Sequence, residues 1–172
     1  KKIKKKNILV IGAIILDEYI FCEGLGKSPK EEIISTRIID KKIYLGGILA
    51  TASHISNFCN KTTLLSVLGN DSKLNKLVNQ KLNKKIIKKI FLDKSIKTIK
   101  KTRYLQNIEN KKLFQSNEVH FNSIDLQIEA KIIKYLKKNL KKFDAIIVND
   151  FGHGLLTKKI INEIEKYKKK LC

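Results

Sequence analysis

Ile8-Leu9-Val10-Ile11 is a continuous apolar run that stops at Gly12, the pattern of a strand buried on both faces of a parallel sheet. Thr63-Leu64-Leu65-Ser66-Val67-Leu68, ending at Gly69, and Ala145-Ile146-Ile147-Val148, ending in Asn149-Asp150, repeat it, and Ile86 to Leu92 is a weaker version broken by Lys88 and Lys89. Helical spacing fills the gaps. Ile48, Ala52, Ile55 and Cys59 share one helical face, as do Leu74, Leu77, Val78 and Leu82. Ser123 is placed to cap a helix with Ile128, Ile132, Leu136 and Leu140 inward and Asp125 in its first turn. Thr157 is placed to cap another with Ile160, Ile161, Ile164, Tyr167 and Leu171 inward and an outer Glu165–Lys169 pair. Strands alternating with helices predict an α/β fold with a mostly parallel sheet.

Two β-rich regions interrupt this alternation. Residues 32–45 read as a hairpin around Asp40-Lys41-Lys42, and residues 97–116 as a second strand pair turning near Glu109-Asn110. Neither fits between parallel strands without a crossover helix, so both are expected in a small antiparallel flap standing off the main sheet. Gly24-Leu25-Gly26-Lys27 reads as a plain loop.

Composition narrows the function classes. With 42% apolar residues in 172, the chain can bury a real core. The net charge of +21 raises the question of a polyanion partner, but of the 37 basic residues only Arg37 and Arg103 are arginines. Nucleic-acid sites favour arginine forks and stacking aromatics. Lysines spread from end to end read instead as a solvated surface, which argues against a nucleic-acid partner. The three cysteines, Cys22, Cys59 and Cys172, have no metal-ligand spacing and are expected reduced, in the cytoplasm. Ile8 to Leu16 is about half the roughly 20 residues a bilayer span needs, and Asp17-Glu18 follows where a signal cleavage site would stand, so no membrane role is expected. The sequence opens on Lys1 and contains no methionine, so it is expected to be a segment of a longer reading frame.

Ligands of open parallel sheets gather at the carboxyl ends of the strands. Three features converge there: Gly12 to Asp17, Gly46-Gly47 opening a helix, and Asp150-Phe151-Gly152-His153-Gly154. A Gly-Gly pair admits a ligand close to the backbone at a positive helix end, and Asp17 and Asp150 are acceptors suited to sugar hydroxyls. Gly-Gly before a helix can equally be plain turn geometry, and a strand-end Asp a helix cap. There is no Walker-type loop, no G-x-S-x-G elbow and no Glu-x-x-His metal spacing around His54 or His120.

Motifs then add a resemblance. Gly12-Ala13-Ile14-Ile15-Leu16-Asp17-Glu18-Tyr19 resembles the G-D-x-x-L-D-x-Y opening of ribokinase/PfkB carbohydrate kinases, especially the heptose-phosphate kinase part of ADP-heptose synthases. Ser28-Pro29-Lys30-Glu31 is similar to that group's S-P-E-A-P, and Gly46-Gly47 with Thr62 to Asp71 to its G-G-A-A-N helix and T-L-L-G-x-V-G-D-D strand. Lys101-Thr102-Arg103 resembles its K-T-R, and Asp144 to Thr157 its D-A-V-V-L-S-D-Y-G-K-G-V-L-T.

The resemblance implies a ribokinase-like fold, with residues 1–172 forming the N-terminal portion of the kinase domain, truncated before the ATP-binding part. It implies sugar or sugar-phosphate binding by Asp17, Gly46, Gly47, Arg103 and Asp150, and a flap that closes over the sugar and offers a surface for a homodimer. ATP and Mg are implied for the complete parent only, since the G-A-G-D segment that carries the family's base is absent and no catalytic residue is expected here. A fused nucleotidyltransferase is implied by the same group. Three departures leave a degenerate, binding-only module as the alternative: Ala13 for an acidic residue, Ala50 or Thr51 for the sugar-binding Asn, and His153 for Lys or Arg.

Overall fold

A computed structural model describes residues 3–167; Lys169, Leu171 and Cys172, named above, lie outside the described residues. After a 3-10 turn at Ile3–Lys5, strand β1 spans Asn7–Gly12, β2 Ile14–Lys27 and β3 Ile34–Gly47, followed by helix α1 at Ile48–Ile55. Strand β4 (Lys61–Leu68), helix α2 (Ser72–Lys81) and strand β5 (Ile86–Leu92) come next, then β6 (Ile99–Gln106) and β7 (Lys112–Glu118). Helix α3 (Leu126–Asn139), strand β8 (Ala145–Asn149) and helix α4 (Lys158–Glu165) complete the order.

The apolar runs form one sheet in the order β5-β4-β1-β8, every pairing parallel. Alternation along β1 divides the core. Ile8 and Val10 pack with Ile48, Leu49 and Ala52 of α1 and Val78 of α2 on one face. Leu9 and Ile11 pack with Ile128, Ile132 and Leu136 of α3 and Ile160 and Ile164 of α4 on the other. Burying both faces is why these strands read as unbroken apolar runs. No helix among the described residues is long and apolar enough to cross a membrane.

A second sheet, ordered β3-β2-β6-β7, stands at the carboxyl end of the first. It corrects the flap in three ways. The sheet is mixed rather than wholly antiparallel, because its central pair β2 and β6 run parallel. Asp40-Lys41-Lys42 is no turn: β3 runs straight through it against β2, and the register shift between Phe21 and Cys22 leaves Ile39 as a bulge. The glycines of Gly24 to Lys27 are strand, not loop, with a second bulge at Leu25. The turn between β6 and β7 falls where expected, with Asn110 at φ 54°.

The caps also sort themselves out. Asp125, not Ser123, caps α3, its carboxylate accepting from the Gln127 and Ile128 amides; the helix starts two residues later than Ser123 implies, where a carboxylate serves the positive end better. Thr157 caps α4 by accepting from the Ile160 amide, and α1 ends at Ile55, so Cys59 lies beyond it.

Candidate functional site

Only Ala13 separates β1 from β2, so one extended chain leaves the main sheet and enters the second. Where β1 ends, the Ser66 hydroxyl donates to the Gly12 carbonyl at 2.6 Å, and a side chain on Gly12 would meet the Asn149 carbonyl oxygen at 2.3 Å. The ends of β1, β4 and β8 are thereby drawn together. The Ala13 carbonyl accepts from the Ile48 amide at 3.2 Å, which fastens the start of α1 to the same junction.

Gly47 precedes that helix with φ 54° and ψ −133°, a conformation strained for residues with a Cβ, and no side chain caps the first turn. Gly46 answers a different constraint: a Cβ there would lie 2.0 Å from Asp17 Oδ2. Asp17 on β2 thus leans against bare backbone. Its other oxygen accepts from the Arg103 guanidinium of β6 at 2.5 Å, with both side chains about one-fifth exposed. The Arg103 guanidinium lies 5.4 Å from the Tyr19 ring centroid, and Tyr19 meets Tyr44 edge-on at 5.5 Å. The hydrogen bond to Asp17 holds Arg103 more firmly protonated than an ordinary arginine, against the opposing effect of burial.

Asp17, Gly46, Gly47 and Arg103 therefore form one continuous surface. Asp150 sits at the same end through its neighbour, since the Asn149 amide donates to the Thr51 hydroxyl at 2.8 Å and Thr51 is one turn into α1. The Asp150 carboxylate itself faces its own loop, where Oδ1 accepts from the Gly152 amide at 2.8 Å. Asn149 is a polar group at this end that sequence reasoning missed; its signal is that it shares the strand face of Ile147, which packs toward α1.

Asp93 was also missed. It is 1% exposed and ties three segments together. Its carboxylate accepts from the Ser95 amide and hydroxyl at 2.8 and 2.6 Å and from the Asp125 amide at 2.8 Å, while its own amide donates to the Leu68 carbonyl. Burial is the largest single influence and favours the neutral acid, but the three hydrogen bonds, together with the nearby positive charge of His120, outweigh it and hold the group below the usual aspartate range. This brace fixes the end of β4, the approach to β6 and the start of α3 at the rim of the site.

Comparison with known proteins gives the geometry a context. No family model matches the sequence. The chain is 29% identical over 164 residues to the bifunctional protein HldE of Aliarcobacter butzleri, covering 94% of this chain and 34% of that protein. It is 29% identical over 170 residues to the HldE of Helicobacter hepaticus, covering 96% and 34%. The chain thus spans about a third of the length of the curated relatives it matches. Among solved structures, a carbohydrate kinase from Agrobacterium tumefaciens superposes with a TM-score of 0.62 at 15% identity, over 95% of this chain and 50% of that one. Phosphofructokinase-2 from Escherichia coli, solved in complex with fructose-6-phosphate, gives 0.62 at 14% identity, over 96% and 53%. The chain accordingly has the ribokinase-like α/β fold of the PfkB/ribokinase sugar kinases, and its sequence is similar to part of the HldE proteins.

Proposed function

We propose that the chain is the sugar-binding portion of a carbohydrate kinase and that Asp17, Gly46, Gly47, Arg103 and Asp150 line its acceptor site. The observation that carries this reading is the Asp17 carboxylate held between Gly46 and Arg103 where the parallel strands run out. A carboxylate fixed in this way accepts hydrogen bonds from vicinal hydroxyls, the glycine backbone lets a pyranose or furanose approach closely, and the second sheet shields the contact from water. Asp150, one residue past β8, serves as a further acceptor once its loop turns toward the ligand.

Phosphoryl transfer is assigned to the complete parent. ATP and Mg would supply the phosphoryl group and its charge neutralisation there. The 172 residues contain no G-A-G-D segment, so no step of the transfer is derived from this chain. The HldE relatives are bifunctional by name, which supports a parent that joins this portion to a second activity, a nucleotidyltransferase in our reading. Ile34, Ile38 and Tyr44 on β3, and Ile33 just before it, are all about half or more exposed, which favours a homodimer through the second sheet. Cys22 and Cys59 are free thiols, in keeping with a cytoplasmic setting.

A second reading, a module that binds sugar without turnover, is favoured by one contact: where the resemblance leads one to expect a sugar-binding Asn, Thr51 has its hydroxyl engaged by Asn149. Calorimetric titration of the chain with hexose and heptose phosphates tests sugar binding. Saturable binding weakened at least about tenfold in Asp17→Asn supports the site; no binding by any of them overturns it. A coupled ATPase assay on the parent then separates the two readings, since turnover abolished by Asp17→Ala supports the kinase and binding without turnover supports the module.

A further inference from the structure

Helix α3 carries apolar residues on two sides. Ile128, Ile132 and Leu136 are buried against the main sheet. Leu126, Ala130 and Ile133, spaced i, i+4 and i+7, instead line a groove of about 740 Å³ beside α4. Leu126 is 72% exposed, Ala130 is exposed and Ile133 is half-buried. The apolar line runs roughly 10 Å along α3, or two helical turns. Ala130 in its middle has only a Cβ, which leaves a low point where another helix can pack closely.

The charges of this groove are one-sided. Lys134, Lys137 and Lys138 of α3 and Lys159 of α4 edge it, and the carboxylate among its lining groups is that of Glu129. Glu129 is buried and already engaged, accepting from the Thr157 hydroxyl at 2.6 Å and from Lys159 at 3.1 Å. Lys134, Lys137 and Lys138 form no ion pair among the described residues. Three ammonium groups at i, i+3 and i+4 beside an apolar line differ from lysines scattered over a polar surface. A single partner can cover the apolar line and answer the charges together.

We propose that the groove between α3 and α4 is a docking surface for an acidic amphipathic helix of another protein segment. Its apolar face would lie on Leu126, Ala130 and Ile133, and its carboxylates would meet Lys134, Lys137 and Lys138. A second copy of the chain fits poorly, because it brings the same lysines and a net charge of +21 to the contact. An anionic bilayer fits poorly as well, since Leu126 is the one large and widely exposed apolar side chain on the line, a small anchor for insertion. None of these residues belongs to the acceptor surface around Asp17, so the inference stands apart from the sugar-binding reading.

The test is fluorescence anisotropy of the chain with a labelled synthetic peptide of leucine and glutamate, patterned to give a helix one apolar and one acidic face. A scrambled peptide of the same composition is the control. The expected result is saturable binding at least about tenfold tighter for the amphipathic peptide, and weakened at least about tenfold by Ala130→Glu and by the double reversal Lys134→Glu/Lys137→Glu. These positions are exposed on α3, and circular dichroism with urea unfolding checks that each variant folds. Lys84→Glu/Lys85→Glu, in the exposed turn before β5, removes the same charge elsewhere and is expected to leave the affinity unchanged. Equal binding of the two peptides, or equal weakening by the two double reversals, overturns the groove in favour of general attraction to a basic surface. Absence of peptide binding overturns it too, with phosphatidylserine vesicles bound through Ala130 reassigning the face to a membrane. Self-association in sedimentation that Ala130→Glu abolishes makes a second copy the occupant, and likewise overturns the proposal.

Discussion

Asp17 Oδ2 occupies the space that a side chain at Gly46 would need, at 2.0 Å from the ideal Cβ position. The glycine is therefore part of the carboxylate's mould. Gly46→Ala forces the end of a flexible side chain to move rather than backbone, so the stability cost is expected to stay within about 1 kcal/mol. The displaced carboxylate can no longer meet Arg103 as it does now. Sugar-phosphate affinity is expected to fall at least about tenfold, with urea unfolding and calorimetry on the same variant separating the two effects.

Gly47→Ala has the opposite profile. Its φ of 54° is unfavourable for alanine, and the new Cβ would sit 2.8 Å from the Ala13 carbonyl oxygen, an atom of the backbone junction itself. A loss of about 1–3 kcal/mol is expected in denaturant unfolding.

Asp93→Asn removes the charge that gathers the Ser95 and Asp125 donors while keeping the shape of the side chain. Its destabilisation is expected at about 1–3 kcal/mol, with faster amide exchange at Asp125 and the first turn of α3 as the local signature. Ser123→Ala, by contrast, is expected to leave that turn unchanged, since Asp125 is the cap.

Acid should unfold the chain in two stages. His153 has a folded value below the histidine norm, so the unfolded state takes up its proton first and stability begins to fall below about pH 6.5. Glu129 is held below the glutamate norm, first by the Thr157 hydroxyl at 2.6 Å and also by Lys159 at 3.1 Å, against burial. Its contribution is fully present above about pH 4.3 and is lost as pH falls through its folded value, together with that of Asp93. Thermal unfolding between pH 7 and 3 should show Glu129→Gln flattening the lower stage alone.

The dimer reading also has a direct check. Ile34, 80% exposed on β3, is the natural place for a charge. Sedimentation of Ile34→Glu is expected to show monomer where the wild type shows dimer; a monomeric wild type rejects the interface.

The parallel sheet was readable because strands buried on both faces have no place for charges, and β1, β4 and β8 accordingly announce themselves as short, largely apolar blocks ended by Gly12, Gly69 and Asn149. β2 was hidden for the converse reason. Its first residues are buried and its last five exposed, and Gly24 and Gly26 inside it carry the usual signature of a loop. Asp40-Lys41-Lys42 misled because turn-forming residues are tolerated on an exposed strand, where a bulge absorbs the irregularity. The glycine pair and Asp17 were visible as types, but their mutual fit is a property of packing. Asn149 and Thr51 are 98 residues apart, and no local pattern links an amide to a hydroxyl over that distance.

The single residue between β1 and β2 has a mechanical consequence. A cover attached by a flexible loop can swing without disturbing its base, but here the cover's central strand is the continuation of the core's own. Any tilt of the second sheet must be taken up as torsion at Gly12-Ala13, the point where the Ser66 hydroxyl, the Asn149 backbone and the first amide of α1 are all anchored. Under the function proposed above, grip on a ligand and the spacing of the strand ends beneath it are geared together, so that tightening one resets the other.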